Sequence, residues 1–327
     1  MPMMIAAMRP GGPEVLTWRE EPMATPGPGE VLIKQTKIGL NFLDIYMTSG
    51  VYPFPDNGFL VPGSEASGDV VEVGAGVEGI TVGDRVAYVI QGGAYRQYRL
   101  AAADRIVKLP ASISDDMAAA SMLKGMTVEY LVNRSARLEP GDTVLFHAAA
   151  GGVGLIAGQW LASMGVNAIG TAGGAEKVAL AKQAGYSHVI DYNSEDFVEV
   201  VRELTSGKGV KVVYDSVGKA TYPHSLACLQ RFGLFVSFGQ SSGMIDNFRF
   251  ADLAKNGSLY AQRPTLFNYI SSREELARTA GNLFDKLADG TVTLKINQRY
   301  PLQEAAAAFT ALEQRKTTGI TLLETGI

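Results

Sequence analysis

One cysteine, Cys228, stands in a chain of 327 residues, so no intramolecular disulfide can form and packing must hold the fold. Histidine is almost as scarce: His147, His188 and His224 are the only three. Residues 1–122 hold neither residue type. Catalytic zinc takes Cys, His and carboxylate ligands and structural zinc takes cysteine clusters, so neither site can be built there. Carboxylates alone could hold magnesium, but they are not clustered to do so. We therefore expect no metal. Long apolar runs are missing too, none approaching the roughly 20 residues of a membrane helix. The opening Met1-Pro2-Met3-Met4-Ile5 lacks the basic and apolar regions of a secretory signal, and a cytoplasmic location is expected. No charge sign dominates. Lys and Arg number 29 against 33 Asp and Glu, a net of −4, which gives no overall pull toward nucleic acid or anionic membrane.

What is present is apolar and rich in turns. Apolar residues make up 46% and charged residues 19%, the balance of a packed globule long enough for two cores. Glycine, at 37 residues without a fixed period, suits many turns. Residues 1 to about 122 have an all-β rhythm. Short strands are expected at Val15–Trp18, Val31–Ile38, Asp69–Gly74, Val82–Ala87 and from Gly92 onward, separated by Pro and Gly. Such strands argue for a compact barrel-like domain. Between them, Asn41, Asp44 and Tyr46 stand among apolar residues. Asp44 reads either as part of a polar corner or as a cap for a short helix, while Asn41 and Tyr46 read as cleft residues.

The organising stretch is Thr143–Gly154. A short apolar run enters Ala148-Ala149-Ala150-Gly151-Gly152-Val153-Gly154 and continues as a helix candidate, Leu155–Ala162. Strand, small-residue turn and helix form the geometry that receives a pyrophosphate, because small side chains let the backbone approach and the helix N-terminus offers unpaired N–H groups. Ala149, Gly151 and Gly154 take the three glycine places of the common fingerprint. Alanine at the first place is tolerable if that residue does not need a positive φ.

After this turn strands and helices alternate. Strands are expected at Val166–Ala172, His188–Tyr192, Lys211–Gly218 and Leu234–Gln240, with helices at Glu176–Ala184 and Phe197–Leu204. That alternation means a parallel doubly wound sheet with ligands at the carboxyl ends of its strands. The second strand ends in Thr171-Ala172-Gly173-Gly174-Ala175-Glu176-Lys177, with no carboxylate directly at its end to take a ribose hydroxyl. Lys177 and the glycine pair suit a 2′-phosphate, so NADPH is expected over NADH, with Glu176 turned outward in the first helical turn. Tyr192 is placed over the adenosine phosphate region. His147 reads as a satisfied structural histidine, and Cys228 as buried apolar filler. Thr127 reads equally as a cofactor contact or a plain helix residue. Arg263 could bind an anionic group, polarise a carbonyl or form a salt bridge. A helix at 274–287, β structure at 296–301, a helix at 304–313 and a strand at 319–323 follow, and this tail is expected to complete the N-terminal domain.

These stretches resemble a known family. Asn41–Tyr46, the turn from Ala148 to Gly154, Tyr214-Asp215-Ser216-Val217-Gly218, Val236–Gln240 and Arg263-Pro264 are similar to the signatures of zinc-free quinone oxidoreductases of the medium-chain dehydrogenase/reductase superfamily, the group of zeta-crystallin. The resemblance covers nearly the whole chain. Zinc-dependent relatives carry a cysteine near Asn41, a histidine near Ser64 and a four-cysteine lobe after residue 85 or so, all missing here. The resemblance implies an α/β fold: a Rossmann-type doubly wound domain over 126–265, and a GroES-like β-barrel-like catalytic domain from 1–125 completed by 266–327. It implies a homodimer and NADPH-linked, often one-electron, quinone reduction. Asn41, Tyr46, Thr127, Gly151, Gly152, Val153, Gly154, Gly173, Lys177, Tyr192, Ser216, Phe238, Gln240 and Thr317 are then expected to line the cofactor. Tyr46, Tyr52, Arg263 and Asn41 form the expected catalytic set.

The expected mechanism places the nicotinamide between the domains at the strand ends. Quinones accept electrons readily, so positioning supplies most of the catalysis, and Tyr52 or Arg263 could stabilise charge growing on the quinone oxygen. No histidine or low-pKa acid stands out as proton donor. An alternative is reduction of α,β-unsaturated ketones or aldehydes with the same cofactor. A further alternative is a non-enzymatic NADPH-binding or RNA-binding role, disfavoured by the charge balance and the absence of a basic stripe.

Overall fold

The computed structural model describes residues 1–327. The first segment carries β1 (Met3–Ala7), β2 (Leu16–Glu20), β3 (Glu30–Gly39), α1 (Phe42–Thr48), β4 (Glu65–Val73), β5 (Arg85–Val89), β6 (Tyr98–Ala102), β7 (Ile106–Lys108) and α2 (Asp115–Tyr130). Alternation follows: β8 (Thr143–Phe146), α3 (Gly152–Ser163), β9 (Asn167–Ala172), α4 (Ala175–Gln183), β10 (His188–Asp191), α5 (Phe197–Leu204), β11 (Val210–Asp215), α6 (His224–Ala227), β12 (Leu229–Ser237), α7 (Phe250–Lys255), β13 (Tyr260–Gln262) and α8 (Leu266–Tyr269). The return segment holds α9 (Arg273–Ala288), β14 (Ile296–Pro301), α10 (Ala305–Glu313) and β15 (Ile320–Glu324). Two compact units result. Residues 1–126, 270–288 and 294–327 form the first, and residues 127–269 and 289–293 the second.

The first unit is organised by β3. This ten-residue strand pairs antiparallel with β4, β6 and β15 in a seven-stranded sheet. Two register shifts against β4, at Leu32/Ile33 and Gln35/Lys37, break the ladder where the strand must bend. Ile33, Ile38, Val70, Val86 and Tyr88 bury their side chains, and Tyr95 meets Phe309 of α10 edge-on with ring centres 5.9 Å apart. The return segment completes this sheet: Leu322, Leu323 and Glu324 of β15 pair with Gly39, Ile38 and Lys37. One strand was not legible in the sequence. β1 exists because β2 pairs with it and because Ile5 and Ala7 donate N–H bonds to the carbonyls of Tyr95 and Leu60, all partners remote in the chain.

The second unit is a six-stranded sheet in the order β10-β9-β8-β11-β12-β13, with every pairing parallel. The chain order reverses between β8 and β11, the switch point at which such sheets bind ligands. β12 differs from the expected strand at 234–240. It begins at Leu229, and its pairing jumps from Val210↔Leu229 to Val212↔Leu234. Phe232, in the left-handed region at φ 62°, makes that excursion. The strand stops at Ser237, leaving Phe238 to Gln240 as a loop at the sheet's carboxyl edge. Helix α7 was also not read from the sequence.

Candidate active site

The glycine turn follows β8 at the carboxyl edge of the parallel sheet. The positive φ falls on Ala148, at 57°, while Ala149 is not in the left-handed region. Alanine at the first fingerprint place is therefore unstrained. Gly151 is the N-cap of α3 and no side chain caps it, so the first N–H groups of a 12-residue helix stay available for an anion. Gly154 is required by close approach: a Cβ there would lie 2.5 Å from the Ala148 carbonyl oxygen and 2.6 Å from that of Ala149. Tyr186 donates its hydroxyl to the Gly154 carbonyl at 2.8 Å, locking α3 onto the neighbouring strand. This cradle fits the pyrophosphate of a dinucleotide.

The end of β9 receives the same emphasis. Gly174, at φ 88°, is the N-cap of α4, and Glu176 is exposed in its first turn. Lys177 is half-buried one residue on. Tyr192 follows β10, is 46% exposed, and lies over Gly173, where a Cβ would come 2.6 Å from its hydroxyl oxygen. Asp191 was not among the expected site residues. Its carboxylate accepts the N–H groups of Gly174 at 2.9 Å and Asn193 at 3.1 Å, so an acid does stand near this edge, engaged by backbone donors.

The next strand ends carry Ser216, Phe238, Gln240 and Arg263. Asp215 is fully buried and accepts from Val217 N–H, Gly218 N–H and the hydroxyls of Thr221 and Ser225, all within 2.7–2.9 Å, which shapes the loop bearing Ser216. Since Ser225 donates to Asp215, it accepts from His147 Nε2, 3.0 Å away, and Thr171 donates to Nδ1 at 2.9 Å. His147 is 1% exposed, and burial pushes its imidazole below the usual range, with Asp215 opposing. It is a structural link from the end of β8 to β9 and α6, and the sequence reading of a satisfied structural histidine agrees. Cys228 is buried, and burial raises its thiol to about 12, which keeps it an inert filler. Arg263 forms no salt bridge. Its Nη1 donates to the Ser237 carbonyl at 2.7 Å and its Nη2 to Gln240 Oε1 at 3.4 Å. Both acceptors are neutral, so the guanidinium keeps its full charge at the sheet's edge.

In the first unit α1 presents the other expected residues. Asp44 reaches back to accept the Asn41 N–H at 2.9 Å and takes the Tyr95 hydroxyl at 3.0 Å, the capping alternative of the sequence reading. Burial pushes the Asp44 carboxyl up to about 7, against the lowering pull of those two donors and of Lys124. Asn41 is itself 8% exposed and donates its amide to Glu65 Oε1 at 2.9 Å and to the Gly39 carbonyl at 3.3 Å. Glu65, fully buried, also meets Lys124 Nζ at 2.6 Å and the Leu123 N–H at 2.6 Å. The buried Glu65 carboxylate is thus met by an internal ammonium. No group of three or more His, Cys, Asp or Glu side chains is arranged to hold a metal ion. Tyr46 and Tyr52 face each other with ring centres 6.3 Å apart, both half-buried.

The carboxyl edge of the parallel sheet thus brings together Gly151–Gly154, Gly173, Lys177, Tyr192, Ser216, Phe238, Gln240 and Arg263, each just after a strand. Asn41, Tyr46 and Tyr52 belong to the α1 corner of the first unit. Thr317 lies in that unit too, half-buried just before β15. Thr127 opens the second unit and is half-buried while its neighbours on α2 are buried. Sequence reasoning missed the Glu65–Lys124 pair and Tyr95, because partners 59 and 51 residues apart leave no local signal.

An uncapped glycine turn on a doubly wound sheet, joined to a barrel-like unit made from both chain ends, is the architecture of the medium-chain dehydrogenases/reductases. Two family models agree: alcohol dehydrogenase GroES-like domain over residues 27–111 and zinc-binding dehydrogenase over 152–281. The chain is 47% identical over 318 residues to quinone oxidoreductase 1 of Escherichia coli, covering 96% of each. It is 43% identical over 330 residues to a 2-haloacrylate reductase of a Burkholderia species, covering 98% of this chain and 99% of that one. The crystal structure of Escherichia coli quinone oxidoreductase complexed with NADPH superposes with a TM-score of 0.95 at 45% identity, over 98% of this chain and 99% of that one. The chain belongs to the zinc-free quinone oxidoreductase family of this superfamily.

Proposed function

We propose that this protein reduces quinones with NADPH and without a metal ion. The observation that carries the reading is the carboxyl edge of the parallel sheet, with an uncapped helix N-terminus at its centre and Arg263, which has no carboxylate partner, just past its outermost strand. NADPH, when bound, supplies the hydride. Gly151, Gly152, Val153 and Gly154 hold its pyrophosphate through backbone N–H groups. Lys177 meets the 2′-phosphate, with Gly173 and Tyr192 beside the adenosine end, and Ser216, Phe238, Gln240, Thr127 and Thr317 complete the contacts. Asn41 and Tyr46 line the cofactor from the α1 corner. Tyr46 and Tyr52 give the acceptor an aromatic wall of two tilted rings, and Arg263 stabilises negative charge developing on its oxygen. Water protonates the product.

At the α1 corner Asp44, Asn41, Glu65, Lys124 and Tyr95 form one buried hydrogen-bonded set. Such preorganisation is what a reaction dependent on positioning needs.

The likeness to a 2-haloacrylate reductase supports a second reading, reduction of an activated carbon–carbon double bond on the same scaffold. Initial rates of NADPH oxidation with 1,4-benzoquinone and with a simple α,β-unsaturated ketone separate the two, with NADH as control. Turnover with the quinone alone supports the first reading, and faster turnover with the enone replaces it by the second.

The protein is proposed to act in the cytoplasm, and no helix is long and apolar enough to cross a membrane. It is also proposed to be a homodimer. Strand β13 pairs with β12 alone, so its other edge is free, and Tyr260 on it is 64% exposed. A free edge with an exposed aromatic is suited to pairing with a second copy.

A further inference from the structure

The first unit contains a pocket of about 230 Å³ that includes none of the residues assigned above. Arg96, Arg99, Glu21, Pro22, Ala24 and Leu100 line it, among others. The two arginines are not ordinary surface cations. Arg99 is 8% exposed, donates from Nη2 to the Gly92 carbonyl at 2.6 Å, and lies over the Tyr88 ring at 4.5 Å from its centre. Gly93 lets the guanidinium come this close, since a Cβ there would lie 3.3 Å from the guanidinium carbon. Arg96 pairs with Glu21, Nη1 to Oε2, at 3.1 Å.

The set is short of acceptors. Arg99 Nη1 and Arg96 Nε are buried donors without a partner in the protein, and Glu21 Oε1 is a buried acceptor without one. The charges do not cancel either. Two guanidiniums face one carboxylate, a surplus of one positive charge, and Glu21 is the sole carboxylate in an ion pair with either arginine. Burial pulls the Arg96 guanidinium below its usual range; Glu21 opposes that shift and Arg99 adds to it. Burial also pushes Glu21 up, against the pull of Arg96. A buried surplus charge is costly unless an ion of opposite sign meets it. Of the remaining lining side chains, Pro2, Pro22, Ala24 and Leu100 are apolar, and Tyr98 adds a ring with one hydroxyl.

We propose that this pocket binds a small organic monocarboxylate. Its carboxylate is held by Arg96 and Arg99, and its short carbon chain lies against Pro22, Ala24 and Leu100. A single negative charge balances the surplus, and planar carboxylates suit guanidinium donors. The apolar walls distinguish such a ligand from a bare oxyanion.

Calorimetric titration of the full chain with sodium butanoate tests this, with sodium chloride and inorganic phosphate at matched ionic strength as comparison arms. Saturable binding of butanoate is expected, with none for chloride and weaker binding for phosphate. Glu21→Gln removes the competing carboxylate and should tighten butanoate by about tenfold. The double variant Glu21→Gln with Arg96→Gln keeps a surplus of one positive charge but holds the carboxylate with Arg99 alone, and should bind butanoate about tenfold or more weakly than Glu21→Gln. Saturating NADPH should leave butanoate affinity unchanged, because the pocket is separate from the cofactor residues. Absence of saturable binding to the unaltered protein overturns the proposal, whatever the variants do. So does phosphate binding at least as well as butanoate, undiminished binding in the double variant, or competition by NADPH.

Discussion

Asp44 shows how much one side chain can hold. It caps α1, receives Tyr95 and has its carboxyl pushed up to about 7 by burial. An unfolded chain releases that proton near 4. The stability this group contributes is therefore full below about pH 4 and lost as pH rises to about 7. The melting temperature of the native protein should fall across that window relative to Asp44→Asn, which cannot ionise. Parallel melting curves from pH 4 to 8 check it, and identical slopes would remove Asp44 as the cause. Arg263→Gln removes the charge while keeping a donor for the Ser237 carbonyl. We expect kcat/KM for benzoquinone to drop by about ten- to a hundredfold with the melting temperature little changed. Lys177→Ala should raise KM for NADPH about tenfold and leave that for NADH unaltered, because only NADPH carries the 2′-phosphate. The Asp44 cap was legible because its meaning lies in near neighbours at a helix start. Asp191 was not, since it reaches Gly174 across two adjacent strands.

Among the elements, the β8–α3 turn carries the tightest constraint. Gly154→Ala would force a Cβ against two carbonyl oxygens, and backbone cannot give way as a flexible side chain does. We expect a loss of about 1–3 kcal/mol in stability, measured by urea unfolding, together with weaker NADPH binding by fluorescence titration. Gly151→Ala makes a contrast: its Cβ would meet the Ala148 oxygen at 3.2 Å, a milder contact that should cost less stability. The turn was readable because small residues cluster in sequence where a helix must approach a strand. The start of β12 was not, because Phe232 takes a left-handed conformation that its residue type does not advertise. Strand β1 was missed for a different reason, its partners being scattered through the first hundred residues.

For the whole molecule, the open edge of β13 is the feature with a consequence in solution. Tyr260→Asp places a charge on that edge and should shift the protein from dimer toward monomer in sedimentation velocity. A native protein that sediments as a monomer at micromolar concentration would refute the dimer. The first unit poses a second whole-chain question, since β14 and β15 close a sheet begun some 280 residues earlier. The sequence places β structure at 296–301 and a strand at 319–323, and both form. The partner of β15, β3, could be named only as the domain the tail would complete.

The sequence by itself determined the doubly wound domain, the glycine turn, the want of zinc ligands and the family. Each of these is written in spacing along a few neighbouring residues, in a residue count or in motif residues. Tertiary structure alone decided what the buried polar groups do. It set Lys124 on Glu65, Tyr95 on Asp44, Asp191 on Gly174, and Arg96 on Glu21 in a pocket shared with Arg99. Hydrogen bonds and charge pairs act over about 3 Å in space whatever the separation along the chain, so no local pattern announces them.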